Sequence, residues 1–288
     1  MTGEMQRVGV IGCGLMGAGI AEVCARAGLD VLVREVDEDA LARGRARIQT
    51  SFGRAVKREK LTAEDARGAL GRLSFTTDIG DMADRNLVVE AVWENEPVKL
   101  DVLATLDKVV APDAILASNT SSIPIMKLAM ATNRPEKVVG LHFFSPVPVL
   151  TLVELVSSLL TSEETADAVH HFAEDVLGKR VIRSKDRAGF IVNALLIPYL
   201  ISAIRMIESG FATAEDIDTG MVLGCNHPMG PLALADFIGL DTTLAAAQSL
   251  YDEFKEPLYG PPPLLARMVE AGLHGRKTGR GFYSYDTP

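Results

Sequence analysis

His142 follows an apolar stretch, residues 138–141, and Glu154 lies inside a second one, residues 152–156. A carboxylate among aliphatic neighbours is costly unless it is paired, and the prolines between the two stretches can turn the chain so that both side chains converge. In such a pair the imidazole exchanges a proton with the substrate, while the carboxylate fixes the tautomer and stabilises the imidazolium. The pattern predicts a general acid/base dyad suited to alcohol oxidation by hydride removal.

The alternative for His142 is a structural histidine, which is the commoner role of a lone histidine. The remaining histidines are poorer candidates for chemistry. His170 and His171 are adjacent on a predicted surface helix, and His227 and His274 stand beside proline or glycine in predicted loops.

A glycine motif predicts a dinucleotide site near the N terminus. Residues 8–11 are a short apolar run, Gly12-x-Gly14-x-x-Gly17 follows, and a helical pattern begins there. The first glycine permits a sharp turn, the second lets a pyrophosphate approach, and the third lets the helix pack close to the strand. The N–H groups of the first helical turn then face an anion. The predicted cofactor contacts in this motif are Gly12, Cys13, Gly14, Leu15, Met16 and Gly17.

The next stretch favours NAD over NADP as the cofactor. Residues 30–35 are typical of a second strand and end in Glu35, near the position where a Rossmann unit has the carboxylate that binds the adenosine ribose. A carboxylate there repels a 2′-phosphate, although the adjacent Arg34 weakens the preference. The alternative is a glycine-rich turn beside a solvated glutamate.

A basic stripe follows in a chain whose net charge is −9. At about 100° per residue, Arg43, Arg47, Arg54 and Arg58 fall within about 60° of one another on a helix. A guanidinium-rich face suits phosphate groups, so the stripe predicts a second phosphorylated ligand of the adenosine diphosphate type. The alternative is a solvated helix face, and Gly44 and Gly53 argue against one straight helix.

The pattern of elements predicts an α/β fold with two domains. Strand and helix patterns alternate as far as about residue 184, as in a Rossmann-type doubly wound sheet with a basic helical insertion. From residue 185 to 288 the pattern is helical, which predicts a smaller all-α domain. The apolar helix 191–207 offers Leu195, Leu196, Tyr199 and Leu200 as either a subunit interface or a monomer core.

Composition excludes several classes of protein. The acidic balance argues against a general binder of nucleic acid or anionic membranes. No stretch approaches the roughly 20 apolar residues of a membrane span. Three cysteines without metal-like spacing indicate a reducing compartment and no metal site. Glycines and Glu22 interrupt the apolar stretch at the N terminus, so we expect no signal peptide and a cytoplasmic protein.

Over nearly its full length the chain resembles the L-3-hydroxyacyl-CoA dehydrogenase family, and within it the bacterial 3-hydroxybutyryl-CoA dehydrogenases. The blocks that carry the resemblance are VGVIGCGLMGAGIA, VVEAVWENEPVK, ASNTSS, GLHFFSPVP with VEL behind it, GFIVN, HPMGPLALADFIGLDT and GRKTGRGFY. Together these blocks are far more specific than the glycine motif alone. The resemblance implies NAD-dependent interconversion of (S)-3-hydroxyacyl-CoA and 3-oxoacyl-CoA with short acyl chains, and a homodimer formed through the C-terminal domain.

The resemblance also implies roles for matched positions. His142 is then the general base with Glu154 as its partner, and Ser121 and Asn193 contact the substrate near its hydroxyl or thioester. The implied contacts to the nicotinamide half of the cofactor are Glu94 and Lys99. Further implied cofactor contacts are Ser121, Ser145 and, on weaker matching, Lys277. The implied coenzyme A contacts are Ser51, Lys57 and Arg58 on the basic helix and its end.

Two alternatives to this function stay open at the level of sequence. One is a dehydrogenase of free hydroxy or sugar acids resembling gulonate dehydrogenase, and the other is a non-catalytic NADH-binding protein similar to lambda-crystallin. The chain also departs from the family pattern, because Ser145 stands where an asparagine is usual after His-Phe-Phe. We expect a water molecule or a small shift to compensate for the shorter side chain.

Overall fold

The computed structural model describes residues 5–285 and divides into two compact units between Asp186 and Arg187. The predicted division after residue 184 falls inside the last strand, two residues before the observed one. The strands, all in the first unit, are β1 (Arg7–Ile11), β2 (Asp30–Arg34), β3 (Leu73–Thr76), β4 (Leu87–Glu90), β5 (Ile115–Ser118), β6 (Val138–Phe143), β7 (Leu152–Ser157) and β8 (Arg180–Lys185).

These strands form one eight-stranded sheet in the order β3-β2-β1-β4-β5-β6-β7-β8. Every neighbouring pair is parallel except β6 and β7, which run antiparallel. The chain winds outward from β1 in both directions, so right-handed crossovers place helices on both faces of the sheet. The central strands are aliphatic and buried on both sides, as this arrangement requires. The predicted doubly wound fold class is confirmed.

The helices of the first unit connect these strands, and a short π-helical turn, residues 172–176, follows the last of them. They are α1 (Leu15–Arg26), α2 (Glu38–Lys57), α3 (Ala63–Leu70), α4 (Glu96–Val109), α5 (Ile125–Ala129) and α6 (Glu163–His171). Most begin after a polar residue whose side chain accepts a hydrogen bond from the first turn. Examples are Asp37 before α2, Thr62 before α3 and Asn95 before α4.

The turn between β1 and α1 has the backbone that the glycine motif predicts. Gly12 has a φ of +89°, a region that residues with a side chain rarely adopt. A Cβ at Gly17 would collide with the carbonyl oxygen of Gly12, so the helix approaches the strand as closely as predicted. Gly28 follows the last turn of α1 with a φ of +93° and ends the helix.

Helix α2 is continuous, and the expected interruption at Gly44 or Gly53 does not occur. Gly44 lies on the buried face with Ile48 and Phe52, and a Cβ there would overlap the side chain of Cys13. Gly44 therefore serves close packing of α2 against the glycine turn, whereas Gly53 is exposed and has open space around its Cβ position.

The second unit is helical throughout its regular structure, apart from a short 3-10 turn and isolated bridges near its end. Its helices are α7 (Val192–Glu208), α8 (Ala214–Cys225), α9 (Pro231–Ile238), α10 (Leu240–Phe254) and α11 (Pro263–Glu270). They enclose a separate core that contains the fully buried Leu200, Ile204, Leu232 and Leu265. Among residues 5–285, no helix is both long enough and apolar enough to cross a bilayer.

Candidate active site

His142 and Glu154 form the dyad that the sequence predicts. They are paired directly across the antiparallel strands β6 and β7, and Nδ1 of the imidazole lies 2.8 Å from Oε2 of the carboxylate. The histidine is 6% exposed and the glutamate is fully buried. Because the ionised carboxylate is an acceptor, Nδ1 carries the proton in the neutral ring and Nε2 carries the lone pair. The geometry suits a general base whose imidazolium form is stabilised by the carboxylate.

The dyad lies at the functional edge of the sheet. His142 is the last residue but one of β6, and β1, β4, β5 and β6 run parallel, so their carboxyl ends meet at one edge. The glycine turn follows β1, the stretch containing Glu94 follows β4, and the stretch containing Ser121 follows β5. In open α/β sheets this edge is where ligands bind.

A buried ion pair occupies the end of β4. Oε1 of Glu90 accepts hydrogen bonds from Nζ of Lys99 at 2.7 Å and from the N–H of Val92 at 2.7 Å. Its Oε2 accepts a hydrogen bond from the hydroxyl of Ser118 at 2.6 Å. Glu90 is 0% and Lys99 is 1% exposed, so both charges depend on these contacts.

Lys99 also pairs with Glu94, which accepts hydrogen bonds from the start of the loop after β5. Nζ of Lys99 lies 3.2 Å from Oε2 of Glu94, whose Oε1 accepts hydrogen bonds from the Thr120 hydroxyl, the Ser121 N–H and the Ser122 hydroxyl. Burial alone would raise the pKa of Glu94, but Lys99 and the two hydroxyls outweigh burial and lower it. Glu94, Lys99 and Ser121 therefore form one network, which agrees with their predicted grouping.

The same loop is also fastened to the strand that carries the dyad. Oδ1 of Asn119 accepts a hydrogen bond from the N–H of Phe143 at 2.9 Å. The ring of Phe144 lies 4.6 Å, centroid to centroid, from that of His142. Ser145 follows and is exposed, so its hydroxyl reaches solvent at this edge.

The glycine turn is suited to an anion. Helix α1 has no side-chain cap at Gly14, and Gly14 and Leu15 are exposed, whereas Met16 packs partly against the core. The N–H groups of the first turn are therefore presented without a competing side chain. These features fit the pyrophosphate of a dinucleotide.

Glu35 and Arg47 hold the peptide groups of Cys13 from both sides. The N–H of Cys13 donates to Oε1 of Glu35 at 2.5 Å, and Arg47 donates to the carbonyl oxygen of Cys13 at 2.7 Å. The Cys13 thiol is buried, which raises its pKa to about 12, with Glu35 contributing in the same direction. The thiol therefore does not ionise at neutral pH, and Cys13 shapes the turn through its backbone.

The basic stripe on α2 is only partly available to a ligand. Arg47 is committed to the glycine turn, and Arg54 lies close enough to the buried Glu22 of α1 to affect its ionisation. Burial raises the pKa of Glu22, against the opposing effects of the Ser51 hydroxyl and of Arg26. Ser51 is half-buried beside this carboxyl group, whereas Lys57 and Arg58 at the end of α2 are exposed.

Two predicted site residues lie in the second unit. Asn193 is half-buried in the first turn of α7. Lys277 lies in the short turn near the C terminus, where its Nζ pairs with Asp241 at 2.5 Å. Both side chains are polar groups on this unit, and their roles at the site remain a prediction.

Glu90 and Asn119 were not predicted as site residues, and Arg47 was predicted only as part of the phosphate-binding stripe. Glu90 ends an otherwise aliphatic strand, so the reasoning that identified Glu154 would also have identified Glu90. Asn119 lies within a block that carries the family resemblance, but its role is to join two strand ends. The contact of Arg47 depends on the close approach of α2, which is not visible in the sequence.

Comparisons with known proteins identify the family. The family model described as "3-hydroxyacyl-CoA dehydrogenase, NAD binding domain" matches residues 7–187, and the "3-hydroxyacyl-CoA dehydrogenase, C-terminal domain" model matches residues 189–285. A "3-hydroxybutyryl-CoA dehydrogenase" of Mycobacterium tuberculosis is 60% identical over 99% of this chain and 100% of the relative. The mitochondrial hydroxyacyl-coenzyme A dehydrogenase of Sus scrofa is 43% identical over 98% of this chain and 91% of its own.

A solved structure shows the same fold. The crystal structure of (S)-3-hydroxybutyryl-CoA dehydrogenase from Ralstonia eutropha matches with a TM-score of 0.93 and 46% identity, covering 98% of this chain and 99% of that one. The predicted resemblance, enzyme class and NAD cofactor are therefore confirmed. The chain belongs to the 3-hydroxyacyl-CoA dehydrogenase family.

Proposed function

We propose that the protein interconverts (S)-3-hydroxyacyl-CoA and 3-oxoacyl-CoA with NAD(H), acting on short acyl chains such as 3-hydroxybutyryl-CoA and acetoacetyl-CoA. The observation that carries this proposal is the buried His142–Glu154 dyad at the sheet edge that also holds the glycine turn. The names of the full-length relatives support the substrate class and the short chain length.

His142 performs the proton transfer in this reaction. In the oxidative direction Nε2 removes the hydroxyl proton, and Glu154 stabilises the imidazolium that forms. In the reductive direction the imidazolium returns this proton to the oxygen of the forming alcohol. Bound NAD supplies the hydride acceptor or donor. Ser121 and Asn193 orient the oxygen or the thioester of the substrate.

The cofactor is held by residues of the first unit. The glycine turn binds the pyrophosphate and Glu35 accepts from the adenosine ribose, while Glu94, Lys99, Ser121 and Ser145 line the nicotinamide half. Lys277 is a further proposed cofactor contact, on weaker matching to the family. The hydrogen bond from the N–H of Cys13 fixes the carboxylate of Glu35 in place. A carboxylate at this position repels the 2′-phosphate of NADP and therefore favours NAD.

Coenzyme A binds at the basic end of α2. Lys57 and Arg58 are exposed cations suited to phosphate groups, and the Ser51 hydroxyl contributes a polar contact. Because Arg58 is assigned to the phosphates of coenzyme A, Arg58→Ala should raise the KM for acetoacetyl-CoA and leave the KM for NADH unchanged. A free hydroxy acid lacks these phosphates. An equal effect of Arg58→Ala and of the control Arg267→Ala, at an exposed arginine of α11, would contradict this assignment.

We also propose a homodimer formed through the helical unit, in a cytoplasmic protein. Of the residues suggested for the interface, Leu200 is buried in the unit's own core, with Leu196 and Tyr199 packed against that core. Leu195 is 73% exposed and is therefore the residue of this set that we assign to the contact between subunits. Light scattering of the wild type and of Leu195→Glu tests this assembly.

The three free cysteines are typical of a reducing compartment.

Steady-state assays separate this function from its rivals. Acetoacetyl-CoA, free acetoacetate and gulonate are each tested with NADH and NADPH or their oxidised forms, and thioesters of graded length follow. Turnover of the short thioester with NADH supports the proposal. Turnover confined to a free acid would identify a gulonate-like dehydrogenase, and NADH binding without any turnover would identify a non-catalytic binding protein.

A further inference from the structure

The loop between β6 and β7, residues 144–151, supports both members of the dyad because it joins the strands that carry them. The N–H groups of Val149 and Leu150 both donate to the carbonyl oxygen of Pro146, at 2.9 and 3.0 Å. These contacts fold the loop into a tight turn. The carbonyl groups of Val147 and Leu150 take no part in them and need other donors.

One side chain satisfies both carbonyl groups. Nζ of Lys179 donates to the carbonyl oxygen of Val147 at 2.6 Å and to that of Leu150 at 2.7 Å. Lys179 is 8% exposed, and within residues 5–285 no carboxylate is among the charged groups that act on it. An ammonium is buried here on backbone acceptors, and such a costly arrangement persists only where the contacts compensate for it.

The loop is held at two further points. Val147 is 2% exposed, and a Cβ at Gly19 of α1 would come within 2.8 Å of its Cβ, so the loop lies directly on that helix. At the other end, the N–H of Arg180 donates to the carbonyl oxygen of Thr151 at 2.8 Å. The position of the loop is therefore determined by packing on one side and by the Lys179–Arg180 segment on the other.

We propose that Lys179 is a positioning residue for the reaction, acting through the β6–β7 loop on His142 and Glu154. Its two hydrogen bonds fix the turn from which the dyad strands extend, and thereby the separation of the imidazole and the carboxylate. The inference rests on the proposed function, whose own test is turnover by the wild type. Lys179 affects the rate of turnover, whereas the glycine turn is held by its own hydrogen bonds to Glu35 and Arg47.

Removal of the amino group would take the donor away from the buried carbonyl group of Val147 and from the part-buried carbonyl group of Leu150. A buried carbonyl group without a donor is costly, so the loop would move to find water or other donors. Burial lowers the pKa of Lys179, and the nearby Arg26 acts in the same direction while Cys24 opposes it. The buried ammonium therefore carries an electrostatic cost, and its two hydrogen bonds to the loop compensate for that cost.

The test compares Lys179→Met, which keeps the length of the side chain, with Lys179→Arg and with the control Lys185→Met. Lys185 lies at the end of β8 and is exposed. We measure kcat for acetoacetyl-CoA reduction, its pH profile and NADH affinity. NADH affinity is read from the fluorescence of Trp93, the one tryptophan of the chain, which is 82% exposed beside Glu94.

In Lys179→Met, kcat should fall about 10- to 100-fold, because sub-ångström placement of catalytic groups has effects of this size. The pH profile should shift because the imidazole–carboxylate separation changes, while NADH affinity and the Lys185→Met control stay at the wild-type value. The kcat of Lys179→Arg should lie between those of the wild type and of Lys179→Met. If the methionine variant does not fold, the arginine variant is the one that tests the proposal. An unchanged kcat and pH profile in a folded variant, or equal losses of kcat and NADH affinity, would overturn the proposal.

Discussion

His142 and Glu154 are directly opposite each other on antiparallel strands, with Nδ1 of the imidazole 2.8 Å from Oε2 of the carboxylate. Direct pairing places both side chains on the same face of the sheet. A shift of one residue in the register would direct one of the two side chains to the opposite face. The chemistry of this site is therefore tied to the pairing of β6 with β7.

Glu154→Gln tests the contribution of the carboxylate. The amide has nearly the same shape but no charge, so it neither stabilises the imidazolium nor enforces the tautomer. We expect kcat to fall by about 10²- to 10⁴-fold. NADH affinity, read from Trp93 fluorescence, should not change. A loss of NADH affinity as large as the loss of kcat would indicate a structural role instead.

Glu90→Gln tests the buried ion pair at the end of β4. The variant leaves the Lys99 ammonium without its nearest counter-charge, and the free energy of unfolding should fall by about 3–5 kcal/mol. Urea denaturation measures this change. The matched control is Glu96→Gln, which breaks the exposed pair with Lys127 at 2.9 Å and should cost less than about 1 kcal/mol. Equal effects of the two substitutions would contradict the prediction.

Glu22→Gln tests a pH-dependent contribution to stability. Burial raises the pKa of this acid, so the folded protein binds its proton more tightly than the unfolded chain does. Stability is then lost as the pH rises from the unfolded-state pKa through the raised folded-state pKa. The glutamine variant does not titrate and should be more stable than the wild type near neutral pH.

The advantage of Glu22→Gln should disappear as the pH falls below the unfolded-state pKa of a glutamate, because the wild-type carboxyl group is then protonated in both states. Urea denaturation at a series of pH values measures the difference. A glutamine variant that is less stable by the same amount at every pH would show that the carboxylate acts mainly as a partner of Ser51 and Arg26.

Local sequence signals were sufficient for most of the fold and for the dyad. Apolar runs and capping residues mark the elements, and the buried acid in Leu152-Val153-Glu154-Leu155-Val156 indicates a partner. Contacts between distant segments were not predictable in this way. Arg47 reaches Cys13 because Gly44 lets α2 approach, and Lys179 reaches Val147 because β8 pairs with β7. Such contacts depend on tertiary packing and leave no periodic pattern in the chain.

The most direct measurement is the turnover of acetoacetyl-CoA by His142→Ala with saturating NADH, together with NADH binding by Trp93 fluorescence. Loss of the imidazole removes the proton donor, so kcat should fall by about 10²- to 10⁴-fold while the Kd for NADH stays within about twofold of the wild-type value. A folded His142→Ala protein that reduces acetoacetyl-CoA at the wild-type rate would contradict the proposed mechanism.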